Sequence, residues 1–261
     1  MWGRLHVVSL MPKTSIITTV YNRQRYLAST IESVLSQTDG DFEYVIYDDG
    51  SPDDSLSIAQ HYAALDNRIT VIAAKHQGAA QSLRAAIAAS SGDYFGVVDS
   101  DDRLASTALD ELRQILDATS VGMAYSNYVE MNEHGLINPK LHRRCGLRYN
   151  PMRMLVDFVT FHFRLIRRSA YDLTAGVNPD LPAAIDYDLC LKLSEVCDVM
   201  HHPHVLYYYR KHSDSISSRD KSRQIQCSAW AVNDALQRRG LADRLELIVG
   251  NDNRFQLVTR D

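Results

Sequence analysis

No uncharged apolar run in the 261 residues approaches the roughly 20 needed to cross a bilayer, so a spanning helix is not expected. No CxxC pair is present. Cys145, Cys190, Cys197 and Cys227 have neither metal-ligand nor redox spacing and read as free thiols of a reducing cytosol. Positive charge is not in excess: the net charge is -4, which leaves no bulk electrostatic case for nucleic acid. Internal repeats, low-complexity tracts and clear linkers are also missing, and a single domain is the economical reading. The apolar stretch in Met1 to Leu10 is too short for a secretion signal; residues 1–12 are expected to be a leader, or to reflect a start upstream of Met11.

What the chain does have is a strand that ends in acid. Tyr94 to Val98 is apolar and runs into Asp99, Ser100, Asp101 and Asp102. If the backbone stays extended, Asp99 and Asp101 share a face. Two carboxylates ~5 Å apart repel by roughly 3 kcal/mol at an effective dielectric of ~20, so the cluster calls for a cation, shared protons or full solvation. Oxygen ligands of this kind suit Mg²⁺ or Mn²⁺. A solvated turn that caps the following helix is the alternative.

Three strand–helix pairs precede this stretch. Thr14 to Val20 is β-branched, Leu27, Ile31, Val34 and Leu35 give one helical face, and Phe42 to Tyr47 forms a strand that runs into Asp48, Asp49 and Gly50. A helix from Asp54 to Ala63, a strand from Ile69 to Ala74 and an alanine-rich helix from Ala79 to Ala89 follow. This alternation predicts a parallel sheet flanked by helices, with ligands outside the carboxyl ends of its strands. Tyr21, Asp48, Asp49 and Asp99 to Asp102 should therefore gather in one crevice.

The rest of the chain reads as a helix around Ala108 to Leu116, strands at Val121 to Met131 and Phe161 to Ile166, and a helix from Asp186 to Val196. A strand from Asp198 to Tyr209 bends at Pro203, and a last helix runs from Ile225 to Leu236. Between Pro139 and Ala170, eight Lys and Arg residues oppose the single acid Asp157. That run is a solvated face, or it contacts an anionic acceptor or membrane surface. His201, His202 and His204 flank Pro203 with no convergent partner in the sequence, which argues against zinc.

Taken together, the segments SIITTVYN (15–22), IESVLSQT (31–38), YDDGS (47–51), GDY (92–94), VDSDD (98–102), IDYDL (185–189), YRKH (209–212) and SIS (215–217) resemble family 2 of the inverting glycosyltransferases. The resemblance implies an α/β, single-domain A-type glycosyltransferase fold: a mostly parallel central sheet flanked by helices, with a smaller acceptor-side mixed region. The catalytic domain would span 13–217, with a nucleotide-sugar-binding half (13–102) and an acceptor half (103–217). Residues 218–261 would be a helical appendage packed on it.

The same resemblance assigns roles. Asp101, with Asp99 and His212, would hold a divalent cation, Mn²⁺ or Mg²⁺, on the diphosphate of a UDP-sugar or dTDP-sugar. Thr19, Tyr21, Asn22, Asp49, Lys75, Arg84, Asp99, Ser100 and Arg210 would contact the nucleotide sugar, Asp49 accepting from an imino N–H of the base. Asp186 would be the general base that activates a hydroxyl of a glycan or lipid-linked acceptor, with capping of the next helix as its alternative role. Gly176 to Pro182 is the candidate mobile loop. Two positions depart from the family pattern: Ile185 stands where Glu is usual, and Leu83-Arg84 where Arg-Asn is usual. They keep open a second reading, a catalytically degenerate nucleotide-sugar-binding or partner-binding protein. The location implied is cytoplasmic or peripheral at the inner membrane face.

Overall fold

The computed structural model describes residues 13–213 and 220–260; the leader and the 215–217 segment lie outside them. The first half follows the predicted alternation: β1 (Thr14–Val20), α1 (Leu27–Leu35), β2 (Phe42–Asp48), α2 (Ser55–Leu65), β3 (Ile69–Ala73), α3 (Ala79–Ala89) and β4 (Tyr94–Val97). The second half contributes β5 (Arg103–Leu104), α4 (Ala108–Ala118), β6 (Met123–Asn132), β7 (Ile137–Leu141), β8 (Arg164–Arg167), α5 (Arg168–Tyr171), α6 (Ile185–Val196) and β9 (Val199–Lys211). It closes with α7 (Lys221–Arg238), β10 (Leu245–Val249) and β11 (Phe255–Thr259).

Among the described residues, nine strands form one sheet in the order β3-β2-β1-β4-β8-β6-β9-β5, with β7 on β6. Strands β1 to β4 are mutually parallel, as the helical crossovers require. At β8 the direction reverses, and β6 then pairs antiparallel with β8 and parallel with β9. The predicted mixed region is therefore a continuation of the same sheet.

Alternating side chains feed two cores. Ile16, Tyr44 and Ile46 face α1 and α4, whereas Ile17, Val45 and Tyr47 face α3, α6 and α7. Helix α4 shows how the pattern works: Ala108, Leu109, Leu112 and Leu116 are all 0% exposed. Truncating one of these leucines to Ala would cost roughly 2–5 kcal/mol.

The two halves meet where β4 pairs with both β1 and β8. Gly96 lies opposite Ile16 on one side and Leu165 on the other. A Cβ at Gly96 would overlap the buried ring of Phe163, so only glycine lets the ring lie against the backbone.

The end of the chain differs from expectation. Helix α7 buries Cys227, Ala231, Val232, Ala235 and Leu236; of the face expected from Ile225, Ala229, Val232 and Leu236, the last two are buried and the first two half-buried. Beyond Arg238 the chain is a hairpin rather than helix, with Leu245, Leu247, Phe255 and Leu257 turned toward the α7 core. The Gly176 to Pro182 loop is anchored: Val177 and Leu181 are buried, and Lys192 Nζ donates to Gly176 O at 3.0 Å. All four cysteines are free thiols.

Candidate active site

The cleft is built at the carboxyl ends of β1, β2 and β4. Val98 N donates to Ile17 O and Asp49 N to Val20 O, which carries the sheet's bonding into the two acidic loops. In the YDDGS turn, Asp48 Oδ2 accepts from Ser51 N at 3.0 Å, and Gly50 adopts φ +71° against His76 N. A side chain at Gly50 would be strained and would collide with the next loop. Asp48 therefore shapes the turn, while Asp49 reaches across to α3.

Asp49 Oδ1 accepts from Gln77 N at 2.8 Å and Oδ2 from Gly78 N at 3.0 Å, while His76 Nδ1 lies 2.9 Å from Oδ2. Two acceptor positions are thus filled by backbone N–H groups, and the hydrogen bond of His76 Nδ1 goes to Asp49 O at 3.1 Å, so the carboxylate keeps acceptor capacity for a ligand. The His76 ring stacks on Tyr21 with centroids 4.2 Å apart, and Tyr21 is 43% exposed. Asn22 sits at φ 56° with its N–H donated to Ser51 Oγ, which ties the β1 loop to the β2 loop. Thr19 is half-buried opposite Tyr47. Lys75 and Arg84 are exposed, and among the described residues neither makes a hydrogen bond or ion pair. Leu83 is buried in the core, which explains the apolar residue there.

The acidic triplet divides into unlike groups. Asp101 Oδ2 receives His212 Nε2 at 2.9 Å and Arg23 Nε at 3.1 Å. Burial would raise this carboxyl, but the His212 hydrogen bond and the Arg23 charge outweigh it and hold it below the usual range. Asp102 is 0% exposed and moves the other way, raised well above the usual range by burial and by the charges of Asp101 and Asp99. Its Oδ1 accepts from Arg210 N at 2.6 Å, so it fastens the loop to β9. Among the described residues its Oδ2 has no partner of normal hydrogen-bond geometry, with the Tyr207 hydroxyl close by. Ser100 is buried, and Asp99 remains 47% exposed at the cleft.

Arg210 faces inward. Its Nε donates to Asp101 O at 2.6 Å, its NH1 reaches the carbonyls of Asn132 and Glu133, and its guanidinium lies over Tyr26. The side chain thus supports the backbone of the acidic loop rather than pointing at open cleft. Asp101 and His212 lie in contact and pair a carboxylate with an imidazole, a donor chemistry that fits a divalent cation, whereas Asp99 faces His162 from the cleft.

Asp186 lies in the first turn of α6. It is not the cap: Ala184 precedes the helix in the left-handed region, and Asp188 is buried in a pair with Lys192 at 2.7 Å. Asp186 Oδ1 accepts from Tyr187 N, and both terminal nitrogens of Arg164 lie 3.3 Å from Oδ2. Its neighbour Ile185 packs against the α6 core, where an ionised Glu would need solvent. Arg164 NH2 also donates to His162 Nδ1 at 3.2 Å, and His162 Nε2 lies 3.4 Å from Asp99 Oδ2. Because guanidinium only donates, Nδ1 is the accepting nitrogen, and a neutral ring carries its proton on the Asp99 side. Two buried side chains therefore connect the acidic loop to Asp186.

Neither His162 nor the inward turn of Arg164 carries a periodic or motif signal in the sequence. Within the basic run, Arg167 and Arg168 also turn inward, onto the carbonyls of Leu116 and Gly92. Lys140, Arg143, Arg148 and Arg153 stay exposed. No helix among the described residues is long and apolar enough to cross a membrane.

Comparisons with known proteins bear on the fold and the family. The chain is 33% identical to the chondroitin synthase of Escherichia coli over 236 residues, 88% of this chain and 34% of that protein. It is 28% identical to the hyaluronan synthase of Pasteurella multocida, covering 90% of this chain and 24% of the relative. The chain thus spans about a third or less of these relatives' length. Among solved structures, Staphylococcus aureus TarS 1–349 in complex with UDP-GlcNAc superposes with a TM-score of 0.71 at 18% identity, covering 88% of this chain and 70% of that one. The mannosyltransferase PcManGT of Pyrobaculum calidifontis, in complex with GDP-Man and Mn²⁺, gives 0.65 at 16% identity, covering 88% and 65%. These likenesses establish the A-type fold, and the sequence model "Glycosyl transferase family 2" matches residues 15–174, more than half of the chain. The chain belongs to glycosyl transferase family 2.

Proposed function

We propose that the cleft transfers one sugar from a UDP-sugar, or a dTDP-sugar, to a hydroxyl of a glycan or lipid-linked acceptor, with inversion at the anomeric carbon. The observation that carries this reading is the contact chain Asp99–His162–Arg164–Asp186, which supports a shared cleft for the acidic loop and the candidate base. Tyr21 and Asp49 would receive the base, Asp49 through its remaining acceptor capacity. Asp99, Asp101 and His212 would hold Mn²⁺ or Mg²⁺, which when bound neutralises charge on the diphosphate leaving group.

Asp186 is 36% exposed and oriented by Arg164, so it is reachable by an acceptor and fixed in direction. It would take the hydroxyl proton as the acceptor oxygen bonds to the anomeric carbon and the bond to the diphosphate breaks, its electron pair leaving with the nucleotide. The complexes and polysaccharide synthases among the similar proteins support a nucleotide sugar and a glycan acceptor. Lys140, Arg143, Arg148 and Arg153 would meet an anionic acceptor or membrane surface at the inner face.

The test is turnover of a panel of UDP-sugars with MnCl₂, followed by NMR assignment of the product anomer. Metal-dependent release of UDP with an inverted product is expected. Asp186→Ala should lower kcat by ~10²–10⁴ and leave donor affinity unchanged. A retained anomer, or wild-type turnover in Asp186→Ala, would reject the assignment.

A further inference from the structure

The histidines around Pro203 do have a partner, carried on α4. His202 Nε2 and His204 Nδ1 each lie 2.6 Å from Glu111 Oε2, and the two rings are 4.5 Å apart. The three ligand atoms fall within 4.8 Å of one another. We infer that Glu111, His202 and His204 form a zinc site that clamps α4 to β9.

The placement is built rather than incidental. His202 and His204 are two apart on a strand, so their side chains leave the same face. The register between β6 and β9 shifts at this point, where Asn127 Nδ2 donates to Pro203 O at 2.7 Å and holds the backbone around the proline. His201 points elsewhere: it stacks on Tyr125 and bonds Asn127 Oδ1 at 2.8 Å, so it is not a fourth ligand. Glu111 is fixed from the other side because α4 is rooted in the core by Leu109 and Leu112.

Two imidazoles and one carboxylate suit Zn²⁺ and are a poor match for Mg²⁺. Since a carboxylate only accepts, the nitrogens facing Glu111 carry protons, and the metal would replace both. Tetrahedral bonds of ~2.0–2.1 Å need ligand atoms ~3.3 Å apart, a small opening from the present contacts. His204, 65% exposed, has room to turn, and the open side leaves a fourth position for water.

The experiment uses tag-free full-length chain carrying Asp101→Asn, so that the cleft does not dominate metal binding. After EDTA treatment and dialysis, the protein is titrated calorimetrically with ZnCl₂ and, separately, MgCl₂. One Zn²⁺ per chain is expected, with a rise in Tm of several degrees and no response to MgCl₂. Adding Glu111→Gln, or His202→Ala with His204→Ala, should weaken zinc binding at least ~100-fold, since losing even an outer-shell partner costs 10–100-fold. Far-UV circular dichroism of each metal-free variant serves as the folding control and should match that of the Asp101→Asn protein. Absence of zinc binding in the Asp101→Asn protein, or equal affinity in the ligand variants, would overturn the site.

Discussion

Strand β9 carries a histidine–carboxylate cluster at each end, and the two are opposite in character. At the cleft end, His212 is 2% exposed and shares Asp101 with Arg23, while Asp99 and Asp102 crowd beside it. At the other end, two imidazoles share one acid at the surface. Acid exceeds imidazole in the first cluster and imidazole exceeds acid in the second. The chemistry of the first suits a hard cation, and that of the second a borderline ion. One strand thus separates a candidate reaction centre from a candidate staple by the ratio and burial of its partners.

The largest expected effect falls on the cleft end. Asp101→Asn should reduce sugar transfer by ~10³-fold or more and abolish its response to MnCl₂, measured as UDP release. Its Tm should fall by a few degrees, because Arg23 and His212 lose the charge of their shared buried partner. Wild-type turnover would erase the contrast between the two clusters.

A smaller effect is expected from the link between the acidic loop and Asp186. Arg164→Met removes a buried cation from Asp186 and His162 and should destabilise the protein by ~3 kcal/mol, read as a lower urea midpoint. Turnover should fall further than the folded fraction does, because Asp186 loses its orientation. A variant as active per folded molecule as the wild type would make this contact chain purely structural.

The smallest effect belongs to the surface cluster without metal. Burial would raise the Glu111 carboxyl, but hydrogen bonds from Thr107, His202 and His204 prevail and bring it to about 2. Its folded value thus lies below its unfolded one. The stabilisation is complete above the unfolded value, near 4.5, and disappears as pH falls to about 2. Solvent screening limits it to about 1 kcal/mol. With EDTA present, the urea midpoints of wild type and Glu111→Gln should differ at pH 6 and converge near pH 2.5. A constant difference would remove the charge argument.

The parallel half was legible because its signals are local. Thr14–Val20, the Leu27–Ile31–Val34 face and the two acidic turns each announce themselves within a few positions, and the crossover rule then orders the strands. The role of Asp102 was not legible, since its hydrogen bond to Arg210 N joins residues 108 apart. Glu111 and His204 are separated by 93 positions, so the sequence offered three histidines and concealed the acid that completes them. Arg164, Arg167 and Arg168 looked like part of a charged face because composition does not reveal which way a side chain turns. The C-terminal hairpin was missed although LELIV and FQLVT alternate around a Gly-Asn-Asp-Asn turn; the preceding helix had drawn the whole tail into its pattern.

Gly96 has a reach beyond its own strand. Phe163 rests against its bare backbone, and three residues on, just past the end of that strand, lies Asp99, whose carboxylate faces the imidazole immediately preceding Phe163. The spacing at the joint between the two halves is therefore matched to the thickness of one aromatic ring. A methyl group inserted there would act as a shim, pressing the strands apart while leaving every candidate site residue unaltered.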